Sequence, residues 1–379
     1  MTKKRKFLIM TASIGSGHIR AAEAVERELR RQFPGDDIQV VDFMSPKTSV
    51  FHGMLKSLYL RMLDFVPNLY DVFYKVSGGG SSGVFAQTMF AVVMCHTMCR
   101  IVKEYGPDVL ICTHPFPEGA AALARRLGRR DKFLLAAVLT DYSLHQIWIY
   151  PKVDLYFTAT EEMREGLLAK GFSPEQVFAS GIAVAENIRE APSREEARRS
   201  LGMDADAKAV LLMGGGLGLG GIQESLKDME RIKRPLSLMV IAGRNLELQQ
   251  KVEQFGRASH HEVKVWGYTD RVYELMSAAD ILITKPGALT MSEAFVLGLP
   301  MLLHEPIPGP ETENAVYASD HGAAVWVHHG ESIAEAVEQI LFDEERLGSM
   351  RRQALSCARP HAARDIVGVL SSLLVDRHS

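Results

Sequence analysis

FLIMTASIGSGHIRAAEA, residues 7–24, decides how the rest of this chain is read. Phe7 to Met10 is a short apolar run, Gly15, Ser16, Gly17 and His18 form a small-residue loop, and Ile19 to Leu29 has helical spacing in good helix formers. The order is strand, glycine loop, helix. Glycines let a backbone approach an anion, and a helix N-terminus offers unpaired N–H groups and a positive dipole end, so the loop first reads as a phosphate cradle. Yet Gly15-x-Gly17-x-x-Arg20 puts a large cation where a dinucleotide fingerprint has its third glycine, and no Gly-Lys-Ser/Thr ending marks a P-loop.

Outward from that stretch the same unit recurs. Ile38–Phe43, Val109–Cys112, Phe133–Leu139 and Leu155–Ala159 read as strands, with helices at Ala120–Leu127 and Glu161–Lys170. Such alternation predicts a parallel sheet covered on both faces. Residues 46–104 break the rhythm as a helical insertion: Phe51, Leu55, Leu58, Tyr59, Met62, Leu63 and Val66 recur at helical spacing, then Leu69–Val76, a flexible Gly78–Gly83, and an apolar helix over Val84–Val102. Gln87, His96 and Arg100 interrupt that last helix, which favours a buried helix over a membrane span. The insertion is either an interfacial patch, with Lys56, Arg61 and Lys75 at its margins, or an ordinary core-packing helix pair.

The apolar rhythm lapses between Ser180 and Pro192, and the capping box Ser193-x-x-Glu196 opens a helix to about Leu201. Strands follow at Ala209–Met213, Leu236–Ala242, Val263–Val265, Ile281–Ile283 and Met301–Leu303, with a helix from Ile222. Two Rossmann-like domains are expected, residues 1–183 and 184–379, the last helices either closing the second domain or crossing back to the first. Gly216-x-Gly218-x-x-Gly221 formally matches the dinucleotide fingerprint, but the next strand ends in Arg244 and Asn245, without an acid for a ribose.

Composition bounds the class. A chain of 379 residues, 47% apolar, buries a large core. The apolar run after Lys3–Lys6 is too short for a signal peptide, and Cys95, Cys99, Cys112 and Cys357 contain no C-x-x-C pair, so a reducing cytoplasmic compartment and no structural zinc are expected. Residues 1–183 carry 22 Lys and Arg against 18 Asp and Glu, and the remainder carry 21 against 28. That asymmetry suits an anionic partner or membrane surface for the first half, or a bland split of solvated charge; no nucleic acid is expected.

The more specific signal is Thr284-Lys285-Pro286-Gly287-Ala288-Leu289-Thr290-Met291-Ser292-Glu293. A strand leads to a Pro-Gly turn, and a helix starts near Leu289 with N–H groups and the Thr290 hydroxyl aimed at a ligand, so a diphosphate is expected there without a metal. Glu293, one turn on, is placed to accept ribose hydroxyls, and the rigid loop Pro306–Pro310 presents Glu311 and Asn314, groups suited to sugar hydroxyls.

Gly-x-Gly-His after the first strand, Thr113-His114-Pro115-Phe116, Thr140-Asp141 with His145 and Trp148, the loop at 214–216, Gly243-x-Asn245, Lys285-Pro286-Gly287 to Glu293, and Pro308-Gly309-x-Glu311 to Asn314 occur in one order. That ordered set, spanning nearly the whole chain, resembles the monogalactosyldiacylglycerol synthase and processive diacylglycerol glucosyltransferase family. The resemblance implies the GT-B fold, an α/β architecture of two facing Rossmann-like domains with parallel sheets, and inverting transfer of galactose or glucose from a UDP-sugar to diacylglycerol at the membrane surface. It implies a peripheral membrane protein, with the UDP-hexose as substrate and no cofactor. Gly215 and Gly216 are then near the phosphates, Gly267 and Tyr268 at the uracil through backbone atoms, Lys285, Pro286, Gly287, Leu289 and Thr290 at the diphosphate, Glu293 at the ribose, and Glu311 and Asn314 near the hexose; Gly243 and Asn245 complete the donor set. Gly17, His114, His145 and Trp148 fall to the acceptor, Trp148 being either core or an interfacial anchor. Pro310 stands where the family often has glutamine, which leaves the sugar open.

Inversion needs a base for the acceptor hydroxyl and charge at the departing diphosphate. His18 is the first candidate base, kept neutral by the helix N-terminus beside it, and Asp141 is its rival. Competing readings are transfer to a polyprenyl-linked precursor, a GT-B sugar-nucleotide epimerase, and a nicotinamide-dependent oxidoreductase whose acid would be Asp42.

Overall fold

The structure is a computed structural model that describes residues 4–49, 80–126, 133–214, 221–304, 306 and 309–376. The helical patterns at 51–66 and 69–76, Gly78, Leu127, Gly215, Gly216, Gly218 and Pro308 lie outside the described residues. The chain divides into two units. Met1–Ala185 and His361–Ser379 belong to unit 1, and Glu186–Ile307 and Glu311–Pro360 to unit 2.

Unit 1 is built on a six-stranded sheet: β1 (Lys6–Thr11), β2 (Asp37–Asp42), β3 (Val109–Cys112), β4 (Leu134–Val138), β5 (Leu155–Phe157) and β6 (Val177–Phe178), in spatial order β2-β1-β3-β4-β5-β6. Every pairing is parallel. Both faces are covered, which is why β3 and β4 are continuous apolar runs rather than alternating ones. The helix α1 (Gly17–Gln32) turns Ala21, Ala22, Val25 and Leu29 onto the sheet. Beside it lies the last helix of the chain, whose Ile366, Val367, Leu370 and Leu374 share one core cluster with Phe7, Ile9 and Val25. Of the two routes open to the C-terminal segment, this helix takes the return to unit 1.

The helix α2 (Gly80–Tyr105) corrects one expectation, because Gly80 to Gly83 form its first turn rather than a flexible link. Helix propagation adds one hydrogen bond per residue fixed, so a long apolar helix extends into weak helix formers at its end. No helix among the described residues is long and apolar enough to cross a membrane. After β3 comes α3 (Pro115–Arg126), and after β5 comes α4 (Glu161–Leu168), whose first turn is capped by Thr160.

Unit 2 opens with α5 (Arg194–Ser200), where Ser193 and Glu196 form the capping box expected from sequence. Its sheet comprises β7 (Ala209–Met213), β8 (Ser237–Gly243), β9 (Glu262–Gly267), β10 (Ile281–Thr284), β11 (Met301–Leu303) and β12 (Ala324–Trp326), in the order β12-β11-β10-β7-β8-β9, all parallel. The helices are α6 (Ile222–Met229), α7 (Leu246–Gly256), α8 (Val272–Ala278), α9 (Ala288–Val296), α10 (Pro310–Asp320), α11 (Ile333–Leu341) and α12 (Glu344–Cys357), and α13 (Ala362–Asp376) is the helix that returns to unit 1. Asp280, fully buried just before β10, ties four of these elements together. Its Oδ2 accepts from Arg198 Nη2 and from the Ala209 N–H, both at 2.9 Å, while its Oδ1 meets Arg351 at 2.8 Å and Arg194.

Strand order also locates the sites. In unit 1 the chain leaves β1 toward β2 on one side and resumes with β3 on the other; in unit 2 it leaves β7 toward β8 and resumes with β10. Open parallel sheets bind ligands at such switch points, beyond the carboxyl ends of the strands.

Candidate functional site

At the switch point of unit 1, α1 starts at Gly17, so His18 sits in the first helical turn rather than in the preceding loop. Ser16, the N-cap, makes no side-chain cap, and the first turn carries no acid. The ring of His18 is fixed from β3 and β4: its Nδ1 lies 2.9 Å from the Thr113 carbonyl oxygen and 2.7 Å from Thr140 Oγ1, and Thr113 Oγ1 donates to the His18 carbonyl at 3.0 Å. Burial lowers the imidazole pKa to about 4, opposed by the bond to Thr113. The cause is chiefly desolvation, where the sequence pointed to the helix dipole. With its folded value below the ordinary one, His18 stays neutral above about pH 4, and folding binds fewer protons between there and the unfolded value, so its share of stability is lost as pH falls through that window. With His18 as the base, a kcat/KM profile is expected to carry its acid limb near pH 4. An acid limb near the unperturbed histidine value of about 6.5 would contradict that environment.

The other acceptor-side residues divide. His114 lies edge to face with His18, ring centroids 4.5 Å apart, and its Nδ1 accepts from the Phe116 N–H at 3.1 Å. Asp141 follows Thr140 at the end of β4 and is half-buried. His145 caps the short 3-10 turn Gln146–Trp148 by accepting from Ile147 N. Trp148 is only 2% exposed, so of the two readings open to it the core one is realised.

In unit 2, β10 ends at Thr284 and α9 starts at Ala288, capped by the extended backbone of Gly287. Lys285 to Gly287 fill the turn, and a side chain built at Gly287 would meet nothing within 4 Å. Met291 N bonds to Gly287 O, which leaves the N–H groups of Ala288, Leu289 and Thr290 outside the helical ladder at the positive end of the dipole. Lys285 Nζ is ion-paired to Glu311 Oε1, and Asn314, buried in the first turns of α10, donates to the Pro286 carbonyl at 3.1 Å. Two helix starts are thus tied to one turn. Glu293 is 1% exposed and its Oε1 accepts from the Tyr273 hydroxyl of α8 at 3.0 Å.

The remaining donor candidates lie at the ends of β8 and β9. Gly243 holds a left-handed φ of +62°, and a Cβ added at Gly267 would press on the Gln249 side-chain oxygen at 3.0 Å. Asn245 caps α7 by accepting from the Leu248 N–H at 2.9 Å. Tyr268 is 74% exposed with the Arg244 guanidinium 5.1 Å from its ring centroid. Away from both switch points, Glu230, His260 and His261 bring metal-type ligand atoms within 4.8 Å. Each imidazole nitrogen there is already engaged, His260 by Glu230 and the Ile232 carbonyl, His261 by the Leu236 N–H and the Met229 carbonyl.

Thr113 and Thr140, which hold His18, stand within recognisable motifs, but nothing in the sequence couples them to a histidine 95 and 122 residues away. Tyr273 carries no sequence signal.

Comparison with known proteins agrees with this layout. Residues 18–184 match the monogalactosyldiacylglycerol (MGDG) synthase family, and residues 209–366 the glycosyltransferase family 28 C-terminal domain. The chain is 30% identical to a processive diacylglycerol beta-glucosyltransferase of Bacillus mycoides, covering 100% of this chain and 96% of that protein. It is 29% identical to the protein of that name from Bacillus licheniformis, over 94% and 92% of the two chains. Among solved structures it resembles Acinetobacter baumannii MurG (TM-score 0.63, 18% identity, 98% and 100% coverage). It is equally close to the Staphylococcus aureus MnaA-UDP co-structure (TM-score 0.63, 12% identity, 98% and 97% coverage). These likenesses show a GT-B-type fold, and with the full-length sequence match the chain belongs to the monogalactosyldiacylglycerol synthase and processive diacylglycerol glucosyltransferase family.

Proposed function

We propose that this protein transfers a hexose from a UDP-hexose to diacylglycerol, with inversion and without a metal, as a peripheral protein of the cytoplasmic membrane surface. The names of its full-length relatives favour glucose as the hexose. The observation that carries the reading is the fixed ring of His18. A carbonyl only accepts, so the bond to Thr113 O assigns the ring proton to Nδ1 and leaves Nε2 with its lone pair. Nε2 takes the proton of the acceptor hydroxyl as the oxygen attacks the anomeric carbon, and the carbon–diphosphate bond breaks with its electron pair going to UDP. The leaving charge is met by the N–H groups at the start of α9 and by the Lys285 ammonium. Asp141 has the supporting role of orienting the acceptor.

The donor assignment rests on Glu293. A buried carboxylate with one oxygen held by Tyr273 is preset to accept from the vicinal hydroxyls of a ribose. Glu293→Ala removes charge-assisted bonds of roughly 1.5–3 kcal/mol and should weaken UDP binding by about 10- to 100-fold in calorimetry. Unchanged affinity would move the ribose elsewhere.

Support for a membrane surface comes from α2, where Val92 is 57% exposed and His96, Arg100 and Lys103 follow on the same helix. Anionic lipid is the surface that the basic end of this helix favours. The whole reading is tested by incubating the protein with radiolabelled UDP-glucose or UDP-galactose and diacylglycerol vesicles in the presence of EDTA, and separating lipids on thin layers. Label in a glycolipid with β linkage is the expected result. No lipid label from either donor would overturn the function, and dependence on a divalent ion would overturn the metal-free mechanism.

A further inference from the structure

His18 and His114 hold opposite tautomers, and we propose that His114 is a second group on the acceptor hydroxyl, donating to its oxygen while His18 removes its proton. The inference rests on the transferase reading above.

The assignment follows from what each ring nitrogen faces. His18 Nδ1 faces the Thr140 hydroxyl at 2.7 Å and the Thr113 carbonyl oxygen at 2.9 Å; the carbonyl can only accept, so Nδ1 carries the hydrogen, the hydroxyl serves as a second acceptor, and Nε2 keeps its lone pair. His114 Nδ1 faces the Phe116 N–H at 3.1 Å, and a backbone N–H only donates, so this Nδ1 is unprotonated and Nε2 carries the hydrogen. Burial, and then the neighbouring His18, hold the His114 pKa well down, so both rings stay neutral. The rings meet edge to face at 4.5 Å between centroids, at the ends of two strands that flank the switch point. Two neighbouring rings thus offer a lone pair on one and an N–H on the other. A hydroxyl has the complementary pair, a hydrogen to give and a lone pair to receive.

The two bonds differ in what they do. As the O–H bond breaks, its proton passes to His18 Nε2 and negative charge grows on the oxygen. The His114 N–H then becomes a charge-assisted donor while keeping its own proton throughout. Its bond is stronger in the transition state than in the ground state, so its contribution appears in kcat more than in KM.

Two substitutions separate this role from a structural one. Asparagine at 114 keeps an acceptor for the Phe116 N–H but has nothing at the Nε2 position, whereas glutamine extends an amide donor to about that position. His114→Asn is expected to lower kcat by about 10- to 100-fold with little change in KM for diacylglycerol. His114→Gln should recover most of that loss. A diacyl lipid lacking the free hydroxyl should inhibit the wild type and H114N equally, because it makes no bond to this residue. Proton–nitrogen correlation spectra of the full chain labelled with ¹⁵N-histidine should show Nδ1–H for His18 and Nε2–H for His114. Equal losses in the two variants, wild-type kcat in H114N, or the same tautomer at both rings would each overturn the proposal. A wild-type protein that fails to glycosylate diacylglycerol at all would instead overturn the transferase reading.

Discussion

His18→Ala should cost about 10²- to 10⁴-fold in kcat for transfer to diacylglycerol, the range that a positioned general base supplies, while UDP affinity stays at the wild-type value. The split is expected because the two halves of the chemistry reside in separate parts of the chain. His18 belongs to unit 1, and the candidate diphosphate and ribose contacts belong to unit 2. Alanine also removes the ring that packs against His114, so far-ultraviolet dichroism and the thermal midpoint should accompany the kinetics. A folded variant with near-normal turnover would transfer the base to Asp141, which follows the Thr140 that holds the imidazole. A loss confined to KM would make His18 a binding group, since a base acts only as the proton moves.

Asp280→Asn should be the most damaging substitution for the fold of unit 2. The carboxylate answers three guanidinium groups and the first N–H of β7, and Arg198 is itself buried with its other donors on the Ala205, Ala207 and Ala278 carbonyls. Removing one charge from a buried ionic cluster costs about 3–5 kcal/mol, because the partner cations remain in place without it. A loss of that size is a large part of the stability of an ordinary domain. Trp266 and Trp326 both lie in unit 2, so in a Trp148→Phe background their fluorescence follows unit 2 alone through a urea transition. The expected result is a midpoint shifted well below that of the parent at similar slope. A shift worth under about 1 kcal/mol would mean that the arginines find solvent or other acceptors.

What the residues disclose on their own follows from how parallel sheets bury themselves. Strands covered on both faces are continuous apolar runs, so Val109–Cys112 and Met301–Leu303 could be bounded to the residue, and the Ser193–Glu196 box fixed a helix start. β6 has only two residues and carries no pattern, and β12 is an edge strand whose Val325 and Trp326 are only half-buried, so neither stands out as a buried strand in the sequence. The helix-borne position of His18 is not legible because the helix opens on Gly17 and its first turn carries no acid, with Ile19 where a capping box would have Glu or Gln. Residue types at the candidate site were legible from motif order, but their partners were not. Thr113, Thr140 and Tyr273 reach His18 and Glu293 through the topology of the sheets, which no local spacing encodes. Asp280 is the clearest case: an acid before an apolar strand reads as a surface turn, and only the convergence of three distant arginines makes it a buried hub.

The return of α13 sets an order of events for synthesis. Domains commonly fold as they emerge, N-terminal first. Here Phe7, Ile9 and Val25 are made before unit 2, yet Ile366, Val367, Leu370 and Leu374 that complete their core are made only after it. The N-terminal unit is therefore the last to be finished on the ribosome. Until then its sheet and α1 carry an uncovered apolar groove, and a nascent chain stalled or cleaved after Pro360 would bear a folded unit 2 joined to an open unit 1, a substrate for chaperones and proteases rather than half an enzyme.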